Sequence, residues 1–188
     1  PQGDHLNSRK GQITYEQNNE IMTFFTNDPL AMQIDLNGHV TKPLQPAFSV
    51  HKNDTAQNNF AVSATNQVTI TFSTARFDQG SDFDFNNNRF VAPVTGKYQL
   101  NLMLRLENVD SASGYYIMRL TTSNRAYEHI VDTDYGQDNT YYPVQIAVLA
   151  DMDANDTATI FIVQESGTAQ TDISGNGGYT NFTGFLAC

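Results

Sequence analysis

Carboxylates recur at short intervals in one segment of the chain and could bind a cation there. Asp132, Asp134 and Asp138 fall within seven residues, with the turn-forming Gly136 between them. This spacing resembles the start of a calcium loop. The later bidentate glutamate is missing, because Pro143 stands eleven residues after Asp132, and calcium needs six or more oxygens. The segment is therefore either a solvated acidic loop or a Ca²⁺ site completed by threefold symmetry.

No other set of residues has the spacing of an enzyme active site. The histidines share no metal-ligand spacing, and none lies beside a serine or cysteine in a nucleophile motif. Cys188 is the last residue, with no helix to lower its pKa. The glycine-rich segment 175–178 lacks the final glycine of a dinucleotide fingerprint. We expect a protein that is not an enzyme and requires no cofactor. The histidines are His5, His39, His51 and His129.

The charge balance makes nucleic acid an unsuitable partner. The 188 residues include 20 Asp and Glu against 10 Lys and Arg, for a net charge of −10, and no basic run interrupts this excess. A phosphate backbone would be repelled. Apolar stretches such as 144–150 are far shorter than the roughly 20 residues that span a bilayer, so membrane insertion is not expected. The single cysteine excludes an intrachain disulfide.

The elements that must position any site are β-strands. From residue 67 onward, apolar and polar residues alternate or form short β-rich runs, each bounded by Asn, Asp, Gly or Ser. Helical spacing is almost absent. Strands at this spacing are typical of a β-sandwich or jelly roll. The predicted strands are 68–72, 98–106, 115–122, 125–133, 141–150, 157–165 and 179–187.

Residues 1–45 form a different kind of segment. They contain three short apolar runs, 13–15, 21–25 and 31–36, separated by turn residues. A segment this short cannot build its own core. Its apolar side chains should therefore pack against the same segment of other chains. We predict a β-rich, trimeric stem over 1–45, ending in a proline-containing connector, and a head over 46–188.

Five short segments of the head resemble the globular C1q domain of the C1q/tumour-necrosis-factor superfamily. Phe90, Pro93, Gly96 and Tyr98 match its F-x-x-P-x-x-G-x-Y motif. The resemblance implies an all-β, ten-stranded jelly roll that forms a homotrimer and works by recognition. We interpret the matched residues as core markers of the fold. The other four segments are 46–50, 68–72, 83–84 and 182–186.

The segment 32–43 is similar to segments that precede C1q-like tips in fibre and appendage proteins of tailed bacteriophages. The resemblance implies a receptor-binding tip on the virion surface that attaches to a host-cell glycan or protein, with the stem contacting other virion proteins. Two alternatives stay open. One is a purely structural virion knob or decoration protein, and the other is a secreted, extracellular C1q-like lectin or immune protein.

Counting strand directions predicts where a receptor would bind. Because antiparallel strands alternate in direction, four loops should meet at the end of the head opposite the stem. We call 52–66, 108–114, 134–139 and 166–178 the apex loops. Their amides, hydroxyls and one exposed aromatic ring suit hydrogen bonding and stacking against a sugar. The predicted binding residues are Asn108, Asp110, Ser111, Tyr135, Gln137, Asp138, Gln170, Asp172 and Asn176.

Overall fold

The computed structural model describes residues 10–188; His5 and the beginning of the predicted stem lie outside this part. The chain divides into two compact units, Pro1–Gln45 and Pro46–Cys188, which we call the stem and the head. Throughout residues 10–188 every regular element is a β-strand. No helix in this part of the chain is long and apolar enough to cross a membrane.

The stem is an antiparallel sheet whose four strands follow one another in chain order. A tight turn joins the last two. Gly38 takes a φ of 83°, which glycine adopts without steric cost. The Asp35 carboxylate accepts the backbone N–H groups of Asn37 and His39, both at 2.9 Å. The strands are β1 (Gly11–Glu16), β2 (Ile21–Thr26), β3 (Leu30–Ile34) and β4 (Val40–Thr41).

One face of the stem sheet is apolar. Residues directly opposite each other on antiparallel strands project from the same face. The pairing register therefore places seven apolar side chains together, and Ile13 among them is 67% exposed. We call this set the stem apolar face. It consists of Ile13, Phe24 and Met32 in one row and of Tyr15, Met22, Ile34 and Val40 in the next.

The head consists of two antiparallel sheets. The first has the order β13-β10-β16-β5-β7, with β15 also paired to β10; the second has the order β12-β11-β14-β9-β8, with β6 also paired to β14. The bounds are β5 (Ala47–His51), β6 (Val68–Thr69), β7 (Thr74–Asp78), β8 (Phe83–Asp84), β9 (Arg89–Val91), β10 (Gly96–Val109), β11 (Tyr115–Thr122), β12 (Ala126–Asp132), β13 (Asn139–Met152), β14 (Thr157–Gln164), β15 (Asp172–Ile173) and β16 (Asn181–Leu186).

The core lies between these sheets, where the alternation in sequence places it. Along β10 the side chains of Tyr98, Leu100, Leu102, Leu104 and Leu106 are buried, while the intervening residues face outward. The longest predicted alternation is thus confirmed. Its physical basis is the period of two in a strand, which sends successive side chains to opposite faces.

The residues behind the C1q resemblance converge in this core. Phe48 of β5 stacks on Phe90 of β9, with ring centroids 4.6 Å apart. It also contacts Phe182 of β16 at 5.0 Å and Phe83 of β8 at 5.8 Å. Because β5 and β16 belong to one sheet and β8 and β9 to the other, these rings join the two sheets. Segments far apart in sequence therefore share one aromatic cluster.

The head has more and shorter strands than the ten that the resemblance implies. Twelve strands lie within 46–188. The predicted strand 68–72 pairs regularly only over Val68–Thr69, after which the Phe72 N–H donates to the side-chain oxygen of Asn88 at 2.8 Å. Strands β7, β8, β9 and β15 have five residues or fewer, too short for periodicity to define them.

Candidate binding surface at one end of the head

The structure brings the four apex loops together at one end of the head. Side chains of one loop form hydrogen bonds with residues of another. The first strand of the head, β5, begins at the other end, near the hydrogen bond that the Lys97 N–H donates to the carbonyl oxygen of Cys188 at 2.7 Å. The loops meet because β10 ends and β13 begins at this end of the head, with Val109 opposite Asn139. This arrangement creates a surface made from segments more than a hundred residues apart.

Asp138 connects three of the apex loops. Its Oδ1 accepts the backbone N–H of Ser111 at 2.9 Å and the Ser111 hydroxyl at 2.8 Å. Its Oδ2 accepts the side-chain N–H of Gln170 at 2.7 Å. Hydrogen bonds to the ionised form, the largest effect coming from the Ser111 backbone, lower the pKa of Asp138. The carboxylate is thus occupied by donors from 108–114 and 166–178.

Asp172 makes the corresponding link to the first loop. Its Oδ1 accepts the backbone N–H of Asn59 at 2.7 Å, and its Oδ2 accepts the side-chain N–H of Asn108 at 2.9 Å. Gln57 in the same loop forms a β-bridge with Ile173. Of the predicted binding residues, Asn108, Ser111, Asp138, Gln170 and Asp172 are therefore partners of one another.

Asp110 lies beneath this surface, not on it. The residue is only 4% exposed. Its carboxylate accepts the backbone N–H groups of Ala112, at 2.8 Å, and of Thr168. Asp110 was predicted as a binding residue, but its position indicates that it holds the base of the 108–114 loop against 166–178.

Tyr135, Gln137 and Asn176 are exposed at the apex. The Tyr135 ring is 39% exposed and stacks on Tyr142, with centroids 5.8 Å apart. Burial, together with a hydrogen bond to Tyr142, raises the pKa of Tyr135 to about 12. Tyr135 thus offers a fixed aromatic face beside amide groups, as a sugar-binding surface requires.

An aromatic cluster that sequence reasoning missed lies on the outer face of the first sheet. The Arg105 guanidinium sits 4.6 Å from the ring centroid of Tyr141 and 3.8 Å from that of Tyr179. Glu107 accepts from Arg105 at 2.5 Å, and Ser174 accepts at 3.1 Å. The register of β10 and β13 places Tyr141 near Arg105, whereas Tyr179 lies in the turn that precedes β16, although the sequence predicted a strand over 179–187.

The carboxylates predicted to bind calcium do not form a site by themselves. Asp132 accepts the backbone N–H of Asp134 at 3.1 Å, while Asp138 is engaged by Ser111 and Gln170. Within residues 10–188, no three His, Cys, Asp or Glu side chains gather where a metal could bind. These residues of one chain therefore do not fit a calcium ion, and no metal enters the function proposed below.

At the start of the first apex loop, Lys52 is buried, and no carboxylate within residues 10–188 forms an ion pair with it. The residue is 2% exposed. Its ammonium donates to the Gln57 side-chain oxygen at 2.9 Å and to the carbonyl and hydroxyl oxygens of Thr71, each at 3.1 Å. Burial disfavours the charged form and lowers the pKa of Lys52 from 10.5 to about 8.

This lysine predicts an alkaline gain in stability. Between about pH 8 and pH 10.5 the unfolded chain binds more protons than the folded one, so the free energy of unfolding rises with pH. The full contribution is about 3 kcal/mol, at 1.36 kcal/mol per pKa unit. Denaturant unfolding of the wild type and of Lys52→Met at pH 7 and pH 10 measures it.

The rise should disappear in Lys52→Met, in which the buried amine is gone, and persist in Lys97→Met, which alters an exposed lysine. Parallel pH profiles for the wild type and Lys52→Met would show that Lys52 is not desolvated in the folded head.

Comparison with known proteins defines the fold class. No protein-family model matches the chain, and no curated protein does either. The solved globular domain of the zebrafish complement 1qA protein is similar, with 19% identity and a TM-score of 0.52, over 77% of this chain and 98% of that one. Murine APRIL, solved at pH 8.5 and at pH 5.0, is similar with 10% identity and a TM-score of 0.54, over 76% and 98%. The chain thus has the predicted C1q/TNF-like fold, all-β with sheets in a jelly-roll-like arrangement.

Proposed function

We propose that the chain is a homotrimeric, non-enzymatic recognition module whose apex loops bind a glycan or protein on a host-cell surface. The observation that carries this proposal is the apex itself: four loops are tied into one surface by side-chain hydrogen bonds, and Tyr135, Gln137 and Asn176 remain exposed on it. A surface built from loops on a rigid β-scaffold is a common site of recognition.

Two uncovered apolar surfaces support the trimer. The stem apolar face is one. The other is the outer face of the first head sheet, where Leu149 and Phe185 flank Gln99 in one row of the register and are 58% and 48% exposed. The seven side chains of the stem apolar face form the contiguous apolar surface that marks a protein–protein contact, and Leu149 and Phe185 add two exposed apolar side chains on the head. Closed cyclic symmetry would cover both surfaces with copies of the same chain.

In this proposal the module lies at the distal tip of a bacteriophage tail fibre or another virion appendage, on the virion surface. The segment 32–43, which is similar to the sequences preceding C1q-like tips in such fibres, supports that location, and the stem would contact other virion proteins. The second candidate, a secreted recognition protein, is favoured by the fold similarity to a complement domain.

Adsorption competition tests the recognition function. The purified chain should reduce attachment of particles carrying the same protein to their host cells, and Tyr135→Ala should weaken that competition at least tenfold, on the order of one interface hot spot. Asp153→Ala is the control, because Asp153 is exposed at the opposite end of the head.

If Tyr135→Ala competes as well as the wild type while Asp153→Ala fails, recognition lies at the other end of the head. If the wild-type chain does not compete at all, a structural knob becomes the better account.

A further inference from the structure

We propose that Asp138 is a positioning residue that fixes the apex surface and does not itself contact the ligand. The inference rests on the recognition function proposed above and assigns a different role to one of its predicted binding residues. In the free chain the Asp138 carboxylate has three donors, two from Ser111 and one from Gln170. These donors belong to two loops other than its own.

The three hydrogen bonds use both carboxylate oxygens. They fill both acceptor positions of Oδ1 and one of the two on Oδ2, so a ligand donor would find only one position free. Any closer contact with the ligand would break charge-assisted hydrogen bonds of 2.7–2.9 Å, which are stronger than neutral ones. Breaking them would free the 108–114 and 166–178 loops at the moment of binding. The lost hydrogen bonds would then reduce the affinity, and the surface would no longer be pre-organised for the other contacts.

The same loops carry or support the exposed residues. Asn176 follows Gln170 in the 166–178 loop, and Tyr135 and Gln137 lie three residues and one residue before Asp138. Holding Asp138 against Ser111 therefore fixes the end of the segment that presents Tyr135. A pre-organised surface of this kind binds more tightly because less freedom is lost on association.

Substitutions at Asp138 separate positioning from direct contact. Asp138→Ala removes all three hydrogen bonds. Asp138→Asn removes the charge but keeps an acceptor for Ser111, and the Gln170 amide can turn its oxygen toward the new N–H. Gln170→Ala loosens the 166–178 loop without altering the charge of Asp138.

Hydrogen exchange on the full chain without ligand is the first measurement. Asp138→Ala should speed exchange of the Ser111 amide at least tenfold, while Asp138→Asn should change it less than threefold. The Ala154 amide is the matched control, because it also donates to a side-chain oxygen, that of Thr95 at 3.1 Å, at the opposite end of the head. Unchanged Ser111 exchange in Asp138→Ala would overturn the proposal.

Adsorption competition is the second measurement. Asp138→Ala and Gln170→Ala should each weaken competition at least fivefold, and Asp138→Asn should stay within threefold of the wild type. If Asp138→Asn loses as much as Asp138→Ala while its Ser111 amide stays protected, the charge contacts the ligand and the positioning role is wrong. Failure of the wild type to compete would count against the proposed function, whereas the exchange data would still decide whether Asp138 fixes the loops.

Discussion

Phe48→Ala should lower the free energy of unfolding of the head by about 3–5 kcal/mol, the range for deleting a buried phenylalanine ring. Phe48 is 1% exposed and lies in the aromatic cluster that joins the two sheets. Its removal leaves a cavity lined by Phe83, Phe90 and Phe182. Each of these rings is held on a different strand, so they cannot all move inward to fill the space.

Denaturant unfolding at a fixed protein concentration measures this loss, because association would otherwise alter the apparent stability. Val94→Ala is the control, since Val94 is an exposed apolar residue between Phe90 and Tyr98 and should change stability by less than about 1 kcal/mol. Equal effects of the two substitutions would mean that the cluster is not the centre of the core.

The second large effect is expected in the stem. Ile13→Asp should weaken the proposed trimer, so that it dissociates at a higher protein concentration than the wild type, because the substitution places a charge without a partner in each copy of a buried interface. In the single chain Ile13 is 67% exposed, so the substitution should cost little if no other chain covers it. A change in the molecular mass measured by light scattering therefore reports the loss of association and not a loss of folding.

Gln12→Asp is the matched control. Gln12 pairs with Phe25, so its side chain projects from the opposite face of the same strand. The substitution therefore adds the same charge one residue away from Ile13. A trimer as resistant to dilution in Ile13→Asp as in the wild type, or weakened equally in Gln12→Asp, would show that the stem apolar face is not a contact between copies.

Much of the fold follows from local pattern, and the candidate site does so only in part. The alternation around Tyr98–Leu106 predicts the core face of β10 because a strand has a fixed period of two. Strand counting likewise predicts that the apex loops meet. Neither argument gives the pairing register that places Tyr141 beside Arg105, nor the path of the turn that places Tyr179 over the same guanidinium.

Side-chain direction within loops was equally beyond the sequence. Asp110 and Ser111 are neighbours of similar polarity, yet Asp110 turns inward toward the Thr168 backbone and Ser111 lies at the surface beside Asp138. Tertiary contacts between distant loops decide that difference. The predicted binding residues therefore include both side chains that face solvent and side chains that hold the loops in place.

The most direct test of the account is the mass of the full wild-type chain in solution. One chain has a mass of 20.9 kDa, so sedimentation equilibrium should give three chains, about 63 kDa, across a micromolar dilution series. A stable species of 20.9 kDa would contradict the account, because both uncovered apolar surfaces would then be surfaces of a monomer.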